Sequence, residues 1–249
     1  MSGHSKWSTI KHKKAKTDAM KGVAFAKFSR EIIVSAKMGG GDPANNFRLR
    51  TAIEKAKAGG LPNDNIKRAI EKGVGADSAE NYEEITYEGY GPCGVAVVVE
   101  AMTENRNRTA GDIRSYFTKH NGNLGETGCV GWMFKSVGQI TYDASGIDFD
   151  KMFEDAISLD AQDIEQEEDE IIVTTKPEDL EAILNGLKDL GYSEKTAETT
   201  KIPDNTIEIT DKSKAQSILK LIDKLEEHDD VQNVYANFDI SDDILKELE

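Results

Sequence analysis

The chain has 249 residues, a formal net charge of −15, 38% hydrophobic residues and two cysteines. Its apolar content is sufficient for hydrophobic cores, and no run approaches the ~18 apolar residues needed to cross a bilayer. We therefore expect a cytoplasmic protein of two or three domains, with no membrane partner and no secretory signal. Two cysteines cannot form a disulfide framework, although the sequence is compatible with a single disulfide between Cys93 and Cys129.

The charges are unevenly distributed along the chain. The first 75 residues hold 16 Lys or Arg against 6 Asp or Glu, whereas the remainder holds 15 against 40. The net charge of −15 is therefore the sum of a basic segment with a net charge of +10 and a body with a net charge of −25. Such asymmetry is typical of chains that contact nucleic acids, so we expect the basic segment to bind a phosphate backbone.

Residues 1–17 are polar and basic, with five lysines and no acidic residue. They show almost no apolar periodicity, so we predict a flexible arm that becomes ordered on a polyanion, with Trp7 stacking on a base. The alternative is a solvated tail with Trp7 packed against the following helices. The candidate contacts in this arm are Lys6, Trp7, Lys11, His12, Lys13, Lys14 and Lys16.

Apolar residues at helical spacing predict three helices in the rest of the basic segment. The first runs over 17–37, the second over 44–58, and the third begins at Asn63 or Asp64. The periodicity that buries one side of each helix directs basic residues outward. The result is a basic helical domain over 1–75, unless these bases are only a solvated surface. The candidate phosphate contacts on the helices are Lys27, Arg30, Lys37, Arg48, Arg50, Lys55, Lys67 and Arg68.

After the basic segment, strand and helix patterns alternate, which predicts an α+β fold. Residues 136–203 have the order β-α-β-β-α-β, which is that of a ferredoxin-like domain. The flanking segments, 76–135 and 204–249, each contribute β-α-β, so we expect a second ferredoxin-like domain that is split by the first. Its predicted strands are 94–102, 130–134, 206–209 and 231–238, its helices are 109–119 and 212–227, and residues 121–125 are predicted to form a turn.

Arg106 and Arg108 form a basic patch between a predicted strand and a predicted helix of the acidic body. A helix N-terminus with adjacent arginines is a natural anion site, so both are candidate nucleic-acid contacts. The alternative is that they pair with nearby acids such as Glu100, Glu104 and Asp112. The sequence favours neither interpretation.

No pattern of catalytic or metal-binding residues is present in the sequence. No two histidines have zinc-ligand spacing, the cysteines do not form C-x-x-C, and there is no nucleophile or phosphate-loop motif. We therefore expect no enzyme activity, no catalytic residue, no metal and no cofactor. Minor alternatives are a divalent-metal site or hydrolase centre in the acidic run at 163–170, and a reactive thiol at Cys93.

Short motifs spread over almost the whole chain resemble the YebC/PmpR family. In the basic segment they are MSGHSKW at 1–7, the lysine-rich 11–16, GGGDP at 39–43 and PNDNI at 62–66. In the body they are YEGYGP at 87–92, NRNRT at 105–109 and GNLGETG at 122–128. The sequence departs from the family at Cys93, where glycine is usual, and at Phe47, where proline is frequent.

The resemblance implies a cytoplasmic, non-enzymatic protein with a helical N-terminal domain and two α+β domains. Many family members are described as DNA-binding transcriptional regulators, while mitochondrial relatives resemble translational activators and bacterial members have been linked to the ribosome. Two functions stay open: regulation of transcription through DNA, and assistance of translation through ribosomal RNA. The acidic body and the lack of a helix-turn-helix motif favour RNA, whereas the usual family description favours DNA, which we place first.

Overall fold

The structure is a computed structural model that describes residues 18–75, 81–167 and 169–248. The chain divides into two compact units, one comprising Met1–Phe134 with Pro203–Glu249 and the other Lys135–Ile202. Helices come first and sheets follow, so the predicted α+β class is confirmed.

The elements of the described residues are numbered in chain order. The helices are α1 (Asp18–Gly39), α2 (Phe47–Ala58), α3 (Asn63–Val74), α4 (Arg106–Lys119), α5 (Phe149–Ser158), α6 (Leu180–Asp189), α7 (Lys212–Glu226) and α8 (Asp242–Leu248). The strands are β1 (Glu83–Tyr90), β2 (Ala96–Thr103), β3 (Asn123–Leu124), β4 (Phe134–Asp143), β5 (Asp163–Glu167), β6 (Glu170–Thr175), β7 (Thr196–Pro203), β8 (Ile207–Ile209), β9 (Val231–Ala236) and β10 (Phe238–Ile240). Short 3₁₀ helices lie at Pro92–Gly94, Gly131–Met133 and Pro177–Asp179.

Helices α1, α2 and α3 enclose one apolar core. Its completely buried members include Ile32, Leu49 and Ala56. Asn46 fixes the link between α1 and α2, because its Oδ1 accepts a hydrogen bond from the Leu49 N–H at 3.0 Å. Its Nδ2 donates to the carbonyls of Ser35 and Gly40. Since Asn46 caps α2, that helix begins at Phe47 rather than at the predicted residue 44.

The first unit contains a four-stranded antiparallel sheet in the order β3-β1-β2-β9. Helices α4 and α7 cover one face of this sheet. Val97 and Val99 of β2 are completely buried there, in the same core as Phe117 of α4 and Leu221 of α7. Side chains alternate along β1, so its residue Glu88 lies on the opposite face from these valines.

Three details of this sheet differ from the prediction. The strand predicted at 130–134 was wrong, and β4 begins only at Phe134. The N–H groups of Val130 and Gly131 donate hydrogen bonds to the buried carboxylate of Glu88 instead of pairing with a strand. The segment predicted to be a turn at 121–125 contains β3, which extends the sheet beyond β1. The strand predicted at 206–209 is present as β8, but it pairs in parallel with β10 outside the main sheet.

The second unit contains a four-stranded sheet in the order β5-β6-β4-β7 together with helices α5 and α6. Its order of elements along the chain is the β-α-β-β-α-β of a ferredoxin-like fold. At the acidic run 163–170, strands β5 and β6 pair antiparallel, with Glu167 opposite Glu170. Within the described ranges, no group of three or more His, Cys, Asp or Glu side chains is placed to hold a metal ion, and no helix has the length and apolarity to cross a membrane.

Candidate nucleic-acid interface

The arm residues predicted to contact nucleic acid lie outside the described residues. They are Lys6, Trp7, Lys11, His12, Lys13, Lys14 and Lys16. The five lysines among them supply half of the net +10 of the basic segment. The described part of the candidate interface therefore consists of the bases on α1, α2 and α3, together with Arg106 and Arg108 at the start of α4.

Most of the exposed basic side chains of the described helices lie on α2 and α3, and Lys37 is exposed at the end of α1. Lys55 and Lys57 are exposed in the last turn of α2, and Lys67 and Arg68 are exposed in α3. Arg68 donates to the Asp64 carbonyl of its own helix at 3.2 Å and stays exposed. The two helices share one small core, and we call these four exposed bases together the α2–α3 basic surface.

Lys27 and Arg30 of α1 face the rest of the first unit. Lys27 Nζ donates to the Glu226 carbonyl at the end of α7, and Arg30 donates to the Asp229 carbonyl in the following turn. Arg30 Nη2 also lies 3.5 Å from Asp230 Oδ1, and its side chain is only 13% exposed. The prediction that Arg30 faces solvent was therefore wrong, because the turn between α7 and β9 covers this side of α1.

Three other predicted contacts make hydrogen bonds within the protein. Arg48 Nε lies 2.8 Å from Glu31 Oε1, and its Nη2 pairs with Glu84 of β1. Partial burial lowers the pKa of Arg48, but the two carboxylates outweigh it, so the net shift is upward. Arg50 donates to a backbone carbonyl at 2.9 Å, and Lys37 donates to a side-chain amide at 2.7 Å.

The predicted anion site at the start of α4 already holds a carboxylate of the same chain. Asp230 Oδ2 accepts hydrogen bonds from Arg108 Nη2 at 2.8 Å and from the Thr109 hydroxyl at 2.7 Å. The Thr103 hydroxyl donates to the same oxygen at 3.1 Å. Burial raises the pKa of Asp230, but these donors lower it below its ordinary value. Arg108 thus pairs with an acid 122 residues away rather than with a neighbour in sequence, while Arg106 stays 71% exposed.

A cavity of about 580 Å³ lies beside this carboxylate, and Arg30 and Tyr116 contribute to its lining. His228 also lines it: His228 Nε2 lies 3.3 Å from Asp112 Oδ2, and Nδ1 accepts a hydrogen bond from the Asp230 N–H at 3.1 Å. The lining holds five acidic residues against two arginines, so it does not favour a phosphate. It includes no serine or cysteine that could act as a nucleophile.

Models of protein domains match nearly the whole chain. The TACO1/YebC protein N-terminal domain matches residues 5–76, and the TACO1/YebC second and third domain matches residues 82–238. The chain belongs to the TACO1/YebC family.

Full-length relatives support this assignment. A probable transcriptional regulatory protein from Geotalea uraniireducens is 54% identical over 248 residues, which cover 100% of both chains. Another protein of that name, from Desulfitobacterium hafniense, is 52% identical over 249 residues, which cover 99% of each chain. The crystal structure of the conserved hypothetical protein Aq1575 from Aquifex aeolicus has a TM-score of 0.85 and 48% identity, covering 95% of this chain and 97% of that one.

The YEGYGP and GNLGETG motifs, which carry the resemblance to the YebC family in the body, meet at Glu88. Its carboxylate accepts hydrogen bonds from the N–H groups of Gly128 and Val130, each at 2.9 Å, and of Gly131 at 2.5 Å. Burial raises the pKa of Glu88, but the three N–H donors lower it below its ordinary value. Glu88 was not singled out from the sequence; the available signal was an acidic residue inside a predicted strand.

Cys93 and Cys129 are both free, so the bridge that the sequence left open is not formed. Cys93 is exposed and has a φ of 63°, the left-handed conformation that glycine adopts most easily. This backbone conformation accounts for the glycine that is usual in the YebC family at this position. Burial raises the pKa of the Cys129 thiol, so that thiol is a poor nucleophile.

Proposed function

We propose that this member of the TACO1/YebC family is a non-enzymatic, cytoplasmic regulator of transcription that binds DNA through its basic N-terminal region. Residues 1–75 form the nucleic-acid-binding domain in this proposal, 76–135 with 204–249 form the split domain, and 136–203 form the inserted domain. The observation that supports it most is the exposed α2–α3 basic surface in a chain whose remaining part is strongly acidic. The names of the relatives support a role in transcription.

Contacts between lysines and phosphates are electrostatic and do not depend on base sequence. Each contact releases condensed counterions, so the logarithm of affinity falls with the logarithm of salt concentration by ~0.9 per phosphate on duplex DNA. Lys57 and Lys67 are suited to this role because they are exposed and make no ion pair among the described residues. Sequence selection would then come from contacts other than these lysines.

The arm is tested by exchanging Lys11, Lys13, Lys14 and Lys16 together for glutamate. We expect weaker binding to labelled duplexes of unrelated sequence and a salt dependence that is shallower by about 3.6 in logarithmic slope, because four phosphate contacts are lost. Fluorescence anisotropy over a salt series measures both quantities. If affinity and slope are unchanged, the arm does not contact phosphate.

A second candidate function is assistance of translation through ribosomal RNA. A body of net −25 would be repelled by a long duplex, and α1 and α2 are joined by the seven residues 40–46 rather than by a tight helix-turn-helix turn. Fractionation of cell extracts separates the two functions. Co-sedimentation with ribosomes that is lost on deletion of 1–17 would favour translation, whereas recovery with the DNA-bound fraction would favour transcription.

A further inference from the structure

Helix α5 of the second unit carries large apolar side chains that the core of that unit does not use. Met152 and Ala156 of this helix are completely buried. Phe153 and Ile157 each follow one of these residues directly, yet they are 44% and 42% exposed. The helix therefore fills the core with one side and presents two further apolar side chains to solvent.

These side chains belong to a continuous row along two turns of the helix. Phe149, Phe153 and Ile157 are spaced four residues apart, which places them one above another on the same side of α5. The ring centres of Phe149 and Phe153 lie 6.3 Å apart. At a rise of about 1.5 Å per residue the row is about 12 Å long. We call these three residues the α5 apolar row.

The neighbouring helix α6 packs on the other side of α5. Leu159, directly after α5, lies against Gly186 of α6, where a methyl group would come within 2.8 Å of Leu159 Cδ2. On the same side, the hydroxyl of Tyr192, beyond the end of α6, donates to Asp155 Oδ2 at 2.7 Å. At about 100° per residue, Asp155 lies about 200° around the helix from Phe153. Helix α6 therefore leaves the α5 apolar row uncovered.

Acidic residues run beside this row. Asp150 and Glu154 each lie one position after an aromatic residue of the row, are exposed, and make no ion pair within the described ranges. Residues 135–202 hold 6 Lys or Arg against 18 Asp or Glu, which gives a net charge of −12. An acidic partner would be repelled here, whereas one with Lys or Arg beside its apolar positions would be attracted. The charge around the row therefore favours a basic partner.

The shape of the surface favours a helix as that partner. Residues spaced four apart form a ridge on α5, and such a ridge packs into the groove between the ridges of another helix. Amphipathic helices that dock in this way present apolar anchors at i, i+3 or i+4, and i+7. An extended segment would instead need a free sheet edge for its backbone hydrogen bonds, which the side of a helix does not offer.

From these observations we infer that α5 is a docking surface for a basic amphipathic helix of another protein. The apolar side of that helix covers Phe153 and Ile157, and its Lys or Arg side chains pair with Asp150 and Glu154. This partner is a protein segment rather than the nucleic acid of the proposed function, so either one can fail without the other.

The test uses the full-length protein and a fluorescein-labelled peptide of about 18 leucine and lysine residues, with the leucines on one side of its helix. Fluorescence anisotropy should show binding to the wild type. Phe153→Gln with Ile157→Gln should bind about tenfold more weakly, because the apolar contact is lost. The matched control Leu190→Gln with Ile202→Gln removes two other exposed apolar side chains of the same unit and should bind as the wild type does. Urea unfolding confirms that each variant is folded.

The contribution of charge is measured separately. Asp150→Asn with Glu154→Gln should weaken binding about fivefold at about 0.1 M salt, and the difference should vanish near about 1 M, where charges are screened within about 3 Å. Glu165→Gln with Glu178→Gln changes the net charge equally at exposed positions of the same unit and should bind as the wild type does.

A second peptide of the same composition, with its leucines distributed around the helix, distinguishes docking from the attraction of any cation to an acidic protein. The wild type should bind it about tenfold more weakly than the amphipathic peptide. Equal binding of the two peptides, no binding of either, or a loss confined to one of the two α5 variants overturns the inference. Self-association of the wild type in sedimentation that Phe153→Gln with Ile157→Gln abolishes also overturns it, because the occupant is then a second copy of the chain.

Discussion

Two buried carboxylates, Glu88 and Asp230, hold together segments that are distant in sequence. Each is surrounded by several donors: Glu88 accepts three backbone N–H groups, and Asp230 accepts from an arginine and two hydroxyls. A buried charge is tolerated only when such donors replace its water, so removing the charge leaves donors without an acceptor. Both residues are therefore structural in this protein.

Replacing Glu88 with glutamine should lower the free energy of unfolding by about 2 kcal/mol. The amide keeps one acceptor oxygen, but its NH₂ group would face backbone N–H groups that also donate. Urea denaturation measures the loss. Glu54→Gln, at an exposed position of α2, is the matched control and should change stability by less than about 0.5 kcal/mol. An equal loss in the two variants would contradict the role given to Glu88.

The stability that Glu88 provides should depend on pH. Its pKa in the folded protein lies below the ordinary value of 4.5, so the ionised form adds stability above that value, and this stability is lost as the pH falls through the folded-state pKa. The difference in unfolding free energy between the wild type and Glu88→Gln should be complete at neutral pH and shrink in acid. A difference that grows on acidification would show that the carboxylate is not ionised in the folded protein.

At the scale of elements, α1 attaches the helical region to the split domain through its basic side. Lys27 and Arg30 donate to carbonyls at the end of α7 and in the turn that follows, and Arg30 also approaches Asp230. The Arg30 guanidinium carbon lies 5.2 Å from the centre of the Tyr82 ring. Charge-assisted bonds in a partly buried site are stronger than pairs on an open surface, so these contacts stabilise the docking of α1.

Arg30→Ala should therefore loosen the helical region without unfolding the sheet. We expect amide hydrogen exchange in α1 to accelerate about tenfold or more, while exchange in the buried strand β2 stays as in the wild type. Hydrogen exchange followed by mass spectrometry measures both elements in one sample. Lys67→Ala removes an exposed base of the same helical region and serves as the control. Unchanged protection of α1 in Arg30→Ala would mean that other contacts hold the helix.

Helical periodicity predicted α1, α2 and α3 to within a few residues because each buries its own apolar stripe. The covering of the basic side of α1 could not be predicted, since the acceptor of Arg30 lies 199 residues further along the chain. The predicted strand at 130–134 failed for a similar reason: its N–H groups bond to Glu88, more than 40 residues earlier. In the candidate site, the exposure of Lys67 followed from the helical pattern, whereas the pairing of Arg108 with Asp230, 122 residues away, exists only after folding.

In the whole molecule, basic and acidic residues are less separated in space than they are along the sequence. Arg30 and Arg48, from the basic segment, pair with carboxylates of the body. The described positive surface left for a polyanion is therefore smaller than the sequence suggests and lies mainly on α2 and α3.

The proposed function requires that the α2–α3 basic surface bind a phosphate backbone. The most direct measurement is the salt dependence of duplex binding for the wild type, for Lys57→Glu with Lys67→Glu, and for the control Lys151→Glu with Lys214→Glu, which has the same net charge. We predict that the logarithmic slope falls by about 1.8 in the first variant, because two phosphate contacts are lost, and stays at the wild-type value in the control. Equal slopes in all three proteins would contradict the claim.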